Sequence, residues 1–282
     1  MVGAAGGPGG SAAGLSSAAG PSSAAGLSAG VRSAYDASAQ LWTDGPEPVY
    51  AALARALLAG ADPSPAGARV LDLGAGTGTA GRAALGAGAR AVVSADLAVS
   101  MLRRCGPAGH PVAAEATALP FRDGSFDLVV AAFCLGHLTD PGAALREARR
   151  VGGALAASSF APDWTHPAKA AVDDTLGSFG YRPPAWYLEF KRDTEPRAGD
   201  PAELVRLATA AGFTGARVRA ITVETGLSSP AELAAWRLGM AHTAPFVSAL
   251  SESRRAELRR AAESAVAGSG PLVVGMLVLL AR

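Results

Sequence analysis

Cysteine is nearly absent from this 282-residue chain: Cys105 and Cys134 are its two thiols, each among apolar neighbours, with no CxxC pair and no histidine at ligand spacing. That excludes a disulfide-stapled scaffold and a thiolate metal centre, so both thiols are expected to be reduced and buried, and no metal is expected. Lysine is scarce beside arginine, and the basic residues are scattered at a net charge of +1. The positive field that draws a polyphosphate backbone is therefore missing, which excludes nucleic acid as a partner. Long hydrophobic runs are missing too. The longest near a terminus, residues 272 to 281, is far short of the ~20 residues of a membrane helix and reads as a buried strand, with no membrane partner expected. Residues 1 to 31 carry no charge, and leucine occurs among them only at Leu15 and Leu27. A secretory signal would need a basic start and an apolar centre, so the expected location is cytoplasmic.

What is present suits a soluble α/β protein: 49% of the residues are hydrophobic. The Gly/Ala/Ser-rich stretch 1–31 cannot bury enough side chain to offset chain entropy and is expected to be a disordered tail, followed by one domain over 32–282. Within it, 32–60 reads as a helical lid with Tyr35 and Trp42 as large anchors. From 68 to 160, short β-rich runs alternate with helical stretches, as in βαβ units around a parallel sheet. Residues 161–200 mix proline, aromatics and charges without a period, which suits a lid insertion. The remainder, 201–282, supplies helices and two last strands, ARVRAITVETGL and LVVGMLVLLAR.

The stretch VLDLGAGTGTAG, residues 70 to 81, carries the first chemical signal. Glycines between a strand and a helix let a ligand approach bare backbone and its N–H groups. Counted from Gly76 the letters fit the dinucleotide pattern GxGxxG, with Asp96 twenty residues on; counted from Asp72 they read DxGxGxG. Asp72, on a buried strand, needs a partner of its own. Further on, Glu115, Leu119-Pro120-Phe121, Arg122-Asp123-Gly124 and Phe126-Asp127 lead into an apolar strand. The set resembles the class I S-adenosylmethionine (SAM) methyltransferases of the small-molecule, methyltransferase domain 11 type, over roughly residues 68 to 160.

The resemblance implies a Rossmann-like fold: a seven-stranded, mostly parallel sheet with an antiparallel last strand, plus helical lid insertions. It implies SAM as cofactor, S-adenosylhomocysteine as product, and methyl transfer to a small, hydrophobic metabolite of a specialised pathway, by a monomer or a homodimer. Asp72, Gly74, Gly76 and Gly78 would form the cradle, and Asp96 would accept from the ribose diol. Leu97, Met101, Glu115 and Ala116 would meet the adenine, with Phe133 and Tyr35 closing the cofactor site. Of the four histidines, His110 reads as a surface residue, while His137, His166 and His242 are candidates for removing a proton from the acceptor. Trp164, Tyr181, Trp186 and Tyr187, with Phe190 beside them, are the candidate acceptor-binding residues. Two other readings stay open: a SAM-binding fold without methyl transfer, serving as a cyclase or binding module, and an NAD-linked oxidoreductase.

Overall fold

The computed structural model describes residues 24–106 and 109–282. The apolar runs become seven strands, β1 (Arg69–Leu73), β2 (Ala91–Asp96), β3 (His110–Ala113), β4 (Leu128–Ala132), β5 (Leu155–Phe160), β6 (Arg217–Glu224) and β7 (Val273–Ala281). They form one sheet in the order β3-β2-β1-β4-β5-β7-β6, in which β7 is antiparallel to both of its neighbours and the other paired strands are parallel. The sheet is thus the expected one, closed by the final hairpin. Strands buried on both faces read as continuous apolar sequence, which is why LVVAA carries no alternation. Along β7 the pleat divides the residues: Val274, Met276, Val278 and Leu280 join one core, while Leu277, Leu279 and Ala281 join the other.

Helices cover both faces. On one face, α2 (Pro46–Ala59) and α3 (Thr79–Gly86) pack on the sheet, while α1 (Ala24–Asp44) packs on other helices. The short α4 (Val99–Leu102) follows β2, and α5 (Pro141–Val151) follows β4. Beyond β5 come α6 (Pro167–Ser178), α7 (Ala185–Glu189), a π-helical turn (Phe190–Thr194), α8 (Glu195–Ala198) and α9 (Pro201–Ala210). Between β6 and β7 lie α10 (Pro230–Leu238), α11 (Ala244–Ala249) and α12 (Glu252–Ala265). Several starts combine an N-cap acceptor with proline in the first turn: Asp140 before α5, Asp200 before α9, and the Ser229/Glu232 capping box before α10. Among the described residues, no helix is long and apolar enough to cross a membrane.

Two boundaries differ from the sequence expectation. Helix α1 begins at Ala24, inside the stretch expected to be a tail; alanine has the highest helix propensity, and α1 continues into the well-packed Tyr35 and Trp42. The rest of that stretch, residues 1–23, lies outside the described residues. Residues 161–200 hold α6, α7 and α8 rather than irregular chain. Helix α6 is part of a core, because Ala168, Val172 and Leu176 are fully buried along one stripe. That stripe is one residue wide and flanked by Asp173 and Asp174, so it left no clear period in the sequence.

Strand β1 also buries a carboxylate. Asp72 is 1% exposed and accepts from the Gly81 N–H at 2.7 Å, and its burial pushes the carboxyl up to about 7. A folded-state value above the unfolded one means the folded chain holds the extra proton. The associated stability is complete below about pH 4 and is lost as the pH rises through 7. Asp72→Asn should remove that dependence, so its stability relative to the parent should increase from pH 4.5 to 7.5 in urea titrations; a constant difference would contradict it. Helix packing supplies a second prediction. A Cβ at Gly239, which follows α10, would sit 2.6 Å from Pro46 Cδ and press on the Leu41 carbonyl. Gly239→Ala should cost about 1–3 kcal/mol, read as a lower urea midpoint at unchanged slope.

Candidate functional site

At the carboxyl ends of β1, β2 and β4 the sheet opens into a cavity of about 480 Å³, the size range of small-molecule sites and the place where open α/β sheets collect ligands. The glycine loop forms one wall. Gly74, Gly76 and Gly78 all take positive φ, at +69°, +55° and +82°. Gly74 packs against Cys134, whose Sγ would lie 2.5 Å from a Cβ there, whereas a Cβ on Gly76 would meet nothing within 4 Å. The bare side of Gly76 therefore faces open space, and that space is the cavity.

Two carboxylates hold the loop. Asp72 takes the Gly81 N–H behind it, and Asp96 Oδ2 accepts from the Gly76 N–H at 2.8 Å. Asp96 Oδ1 accepts from the Ala98 N–H, also at 2.8 Å. Burial raises the Asp96 carboxyl above its usual range, and the Ala98 and Gly76 N–H groups pull it back. Each carboxylate oxygen has a second lone-pair direction, so Asp96, which borders the cavity, can still accept from a ligand hydroxyl. Thr77, also on the wall, has a buried Oγ1 without a partner among the described residues. The groups on this side therefore form a bare backbone cradle, a spare hydroxyl and a carboxylate, a donor and acceptor set that fits a nucleoside linked to an amino acid.

Gly74, Gly76, Asp96, Leu97, Met101, Glu115, Ala116, Phe133, Tyr35 and His137 all border this cavity. Asp72 and Gly78 do not; they lie beneath the loop, Gly78 packing on Cys105. Both cysteines are free and buried. Phe133, just after β4, has φ of +54°, a conformation costing a non-glycine residue ~1–3 kcal/mol and common at functional sites. The opposite wall is aromatic. Tyr50 meets Phe133 edge-on at 5.4 Å, Phe133 packs on Phe160 at 4.6 Å, and Trp42 lies 4.8 Å from Tyr50. Tyr50, Phe160 and Phe190 border the cavity. Tyr50 and Phe160 were not singled out in the sequence, although Phe160 ends β5 on the same carboxyl edge as the glycine loop.

His137 is enclosed. Its Nε2 lies 3.1 Å from the Tyr35 hydroxyl, its ring stacks on Phe190 at 4.7 Å, and its Nδ1 is buried without a partner among the described residues. Burial pushes the imidazole down to about 4, so it is neutral at physiological pH.

The other two histidine candidates and the four acceptor-binding candidates do not border the cavity. His166 caps α6 through Nδ1, which accepts from the Ala168 N–H at 3.3 Å, and its Nε2 is 3.2 Å from the Pro271 carbonyl. Both nitrogens are engaged in structure, which corrects the catalytic expectation. His242 lies flat on Tyr187 at 3.8 Å, and burial with nearby positive charges pushes it down to about 2. Trp164 donates to the Val273 carbonyl at 2.8 Å and stacks behind Phe160. Tyr181 donates to the His242 carbonyl at 3.1 Å, Trp186 packs on Gly30 of α1, and Tyr187 stacks between His242 and Phe190. These four aromatics form an outer layer behind the rings that border the cavity. His110 is exposed on β3.

Comparison with known proteins agrees with this geometry. A family model described as a methyltransferase domain matches residues 71–156. The demethylmenaquinone methyltransferase of Renibacterium salmoninarum is 42% identical over 107 residues, 36% of this chain and 43% of that protein. The enzyme of the same name from Mycolicibacterium vanbaalenii is 35% identical over 167 residues, 55% of this chain and 72% of that protein. The chain thus spans less than half of the first relative and most of the second. Among solved structures, one described as a methyltransferase from an antibiotic biosynthesis pathway of Anabaena variabilis has a TM-score of 0.54 at 15% identity, covering 82% of this chain and 96% of that one. On the relatives, the fold and the motif-bearing core together, the chain belongs to the class I SAM-dependent methyltransferase family.

Proposed function

We propose that this chain transfers a methyl group from SAM to a small, largely apolar acceptor. The observation that carries the reading is the juxtaposition, in one cavity, of the bare face of Gly76, the Asp96 carboxylate and a wall of aromatic rings. SAM bound there would supply an electrophilic methyl group on a sulfonium, open to in-line displacement. In this reading Gly74 and Gly76 carry the amino-acid end, and Asp96 accepts from the ribose hydroxyls. Leu97, Met101, Glu115 and Ala116 take the base. Tyr50, Phe133 and Phe160 exclude water and offer ring faces to positive charge and to a flat acceptor. Demethylmenaquinone, the acceptor in the relatives' names, is in keeping with an apolar wall.

The chain's contribution to rate is then mostly alignment, which can be worth ~7–11 kcal/mol. His137 acts as a wall. Its Nε2 is held by Tyr35 and its Nδ1 is sealed, so neither nitrogen is presented to an acceptor proton. A cytoplasmic setting goes with this reading, since both thiols are free and a reducing compartment keeps them so.

S-adenosylhomocysteine should raise the melting temperature of the protein and NAD should not, because only a ligand of the folded state stabilises it. Asp96→Ala should weaken S-adenosylhomocysteine binding at least tenfold by calorimetry while the variant still melts cooperatively. Label from methyl-labelled SAM should appear in an apolar acceptor; binding without any label transfer would favour a SAM-binding module, and stabilisation by NAD an oxidoreductase.

A further inference from the structure

Helix α7 runs into the π-helical turn Phe190–Thr194 and then into α8. The turn is closed by the Glu195 N–H, which donates to the Phe190 carbonyl, a bond spanning five residues where an α-helix spans four. That extra residue rotates everything after it. In an unbroken α-helix residue 194 would lie over residue 190, and residue 195 would point away from it. Here Glu195 takes the place over Phe190 instead. Phe190, Glu195 and Ala198 accordingly border the cavity, and Thr194 does not. Such turns are rare and recur at functional sites. The effect of this one is to set a carboxylate on the cavity wall where a regular helix would have set a threonine.

Glu195 is held there from two sides. Ser159 Oγ of β5 donates to the Ala198 carbonyl at 2.5 Å and ties α8 to the sheet, while Lys191 pairs with Glu195 Oε2. Glu195 Oε1 has no partner among the described residues. The charge of this carboxylate reaches the Tyr50 hydroxyl, which belongs to the same cavity wall and also has no hydrogen-bond partner among the described residues. The other polar groups on this side are already used. Tyr35 meets His137 Nε2, Ser158 Oγ accepts from the Phe133 N–H at 3.3 Å, and Ser159 is bound to α8. Elsewhere on the cavity wall, Asp96 pins the glycine loop and Asp140 caps α5.

We propose that the methyl acceptor is a neutral molecule bearing a hydroxyl, which donates to Glu195 Oε1 while its apolar body lies against Tyr50, Phe133 and Phe160. The inference rests on the methyl-transfer reading above. An anionic acceptor would be repelled by the Glu195 charge. A cationic one would find that carboxylate already paired with Lys191, and further positive charge behind the wall: Lys169 lies over Trp164, which stacks behind Phe160, and the Arg237 charge reaches Tyr50. A neutral donor meets neither opposition, and its hydrogen bond to an ionised acceptor is stronger than one between neutral groups. A hydroxyl also carries lone pairs, to which the idle Tyr50 hydroxyl can donate.

The test is calorimetric titration of the full chain, saturated with S-adenosylhomocysteine, with three probes of one ring system: 2-naphthol, its methyl ether 2-methoxynaphthalene, and 2-naphthoate. Naphthol should bind roughly tenfold or more tightly than the ether, which has no proton to donate, and naphthoate should bind most weakly. Glu195→Gln keeps the shape of the side chain and removes its charge. It should shrink the preference for naphthol over the ether and improve naphthoate binding, with S-adenosylhomocysteine affinity the same as in the parent; Glu195→Asp should retain the rejection of naphthoate. Naphthol binding no more tightly than its ether, or not at all, would overturn the hydroxyl site while leaving methyl transfer standing, as would a preference untouched by Glu195→Gln. Failure of the parent chain to bind S-adenosylhomocysteine would instead strike the methyl-transfer reading beneath it.

Discussion

Everything proposed for this molecule depends on the hydrogen bond from the Gly76 N–H to Asp96, 2.8 Å long, with its counterpart from Gly81 to Asp72 at 2.7 Å. Three residues of the loop sit at positive φ, a conformation that glycine permits but does not enforce. The carboxylates enforce it. One acid stands at the end of β2 and the other inside β1, so the loop is pinned from both strands. Its Cβ-free face is thereby presented to the cavity in advance of any ligand, and the ordering cost is met during folding rather than at binding.

The same burial that fixes the loop sets the electrostatics around it. Desolvation opposes the charges of Asp72 and Asp96, and a cation bound nearby would favour their ionised forms. On the other side, burial keeps His137 neutral at the wall, and burial with nearby positive charges keeps His242 neutral behind it. The cavity thus has an acidic end under the glycine loop and an aromatic middle. Glu195, paired with Lys191, borders its far side.

The sheet and the loop were legible in the sequence because both are encoded locally. The β4 and β7 runs are stretches without a charge, and DLGAGTG states both the turn and its pinning acid within seven letters. The aromatic wall was legible only in part. Density of aromatics in 161–200 pointed to Trp164, Tyr181, Trp186 and Tyr187, yet those rings form the outer layer. Which aromatic faces a cavity depends on packing between distant helices: Tyr50 comes from α2 and Phe160 from the end of β5. His166 misled because an imidazole capping a helix is, in sequence, the same letter as one poised for proton transfer. The α6 stripe was hidden because it is one residue wide and flanked by Asp173 and Asp174.

The most direct measurement is a crystal structure of the full chain soaked with S-adenosylhomocysteine. The account predicts its ribose hydroxyls on the Asp96 carboxylate and its amino-acid end over Gly74 and Gly76. Density for that compound elsewhere, or a cavity that stays empty while the loop remains pinned, would contradict it.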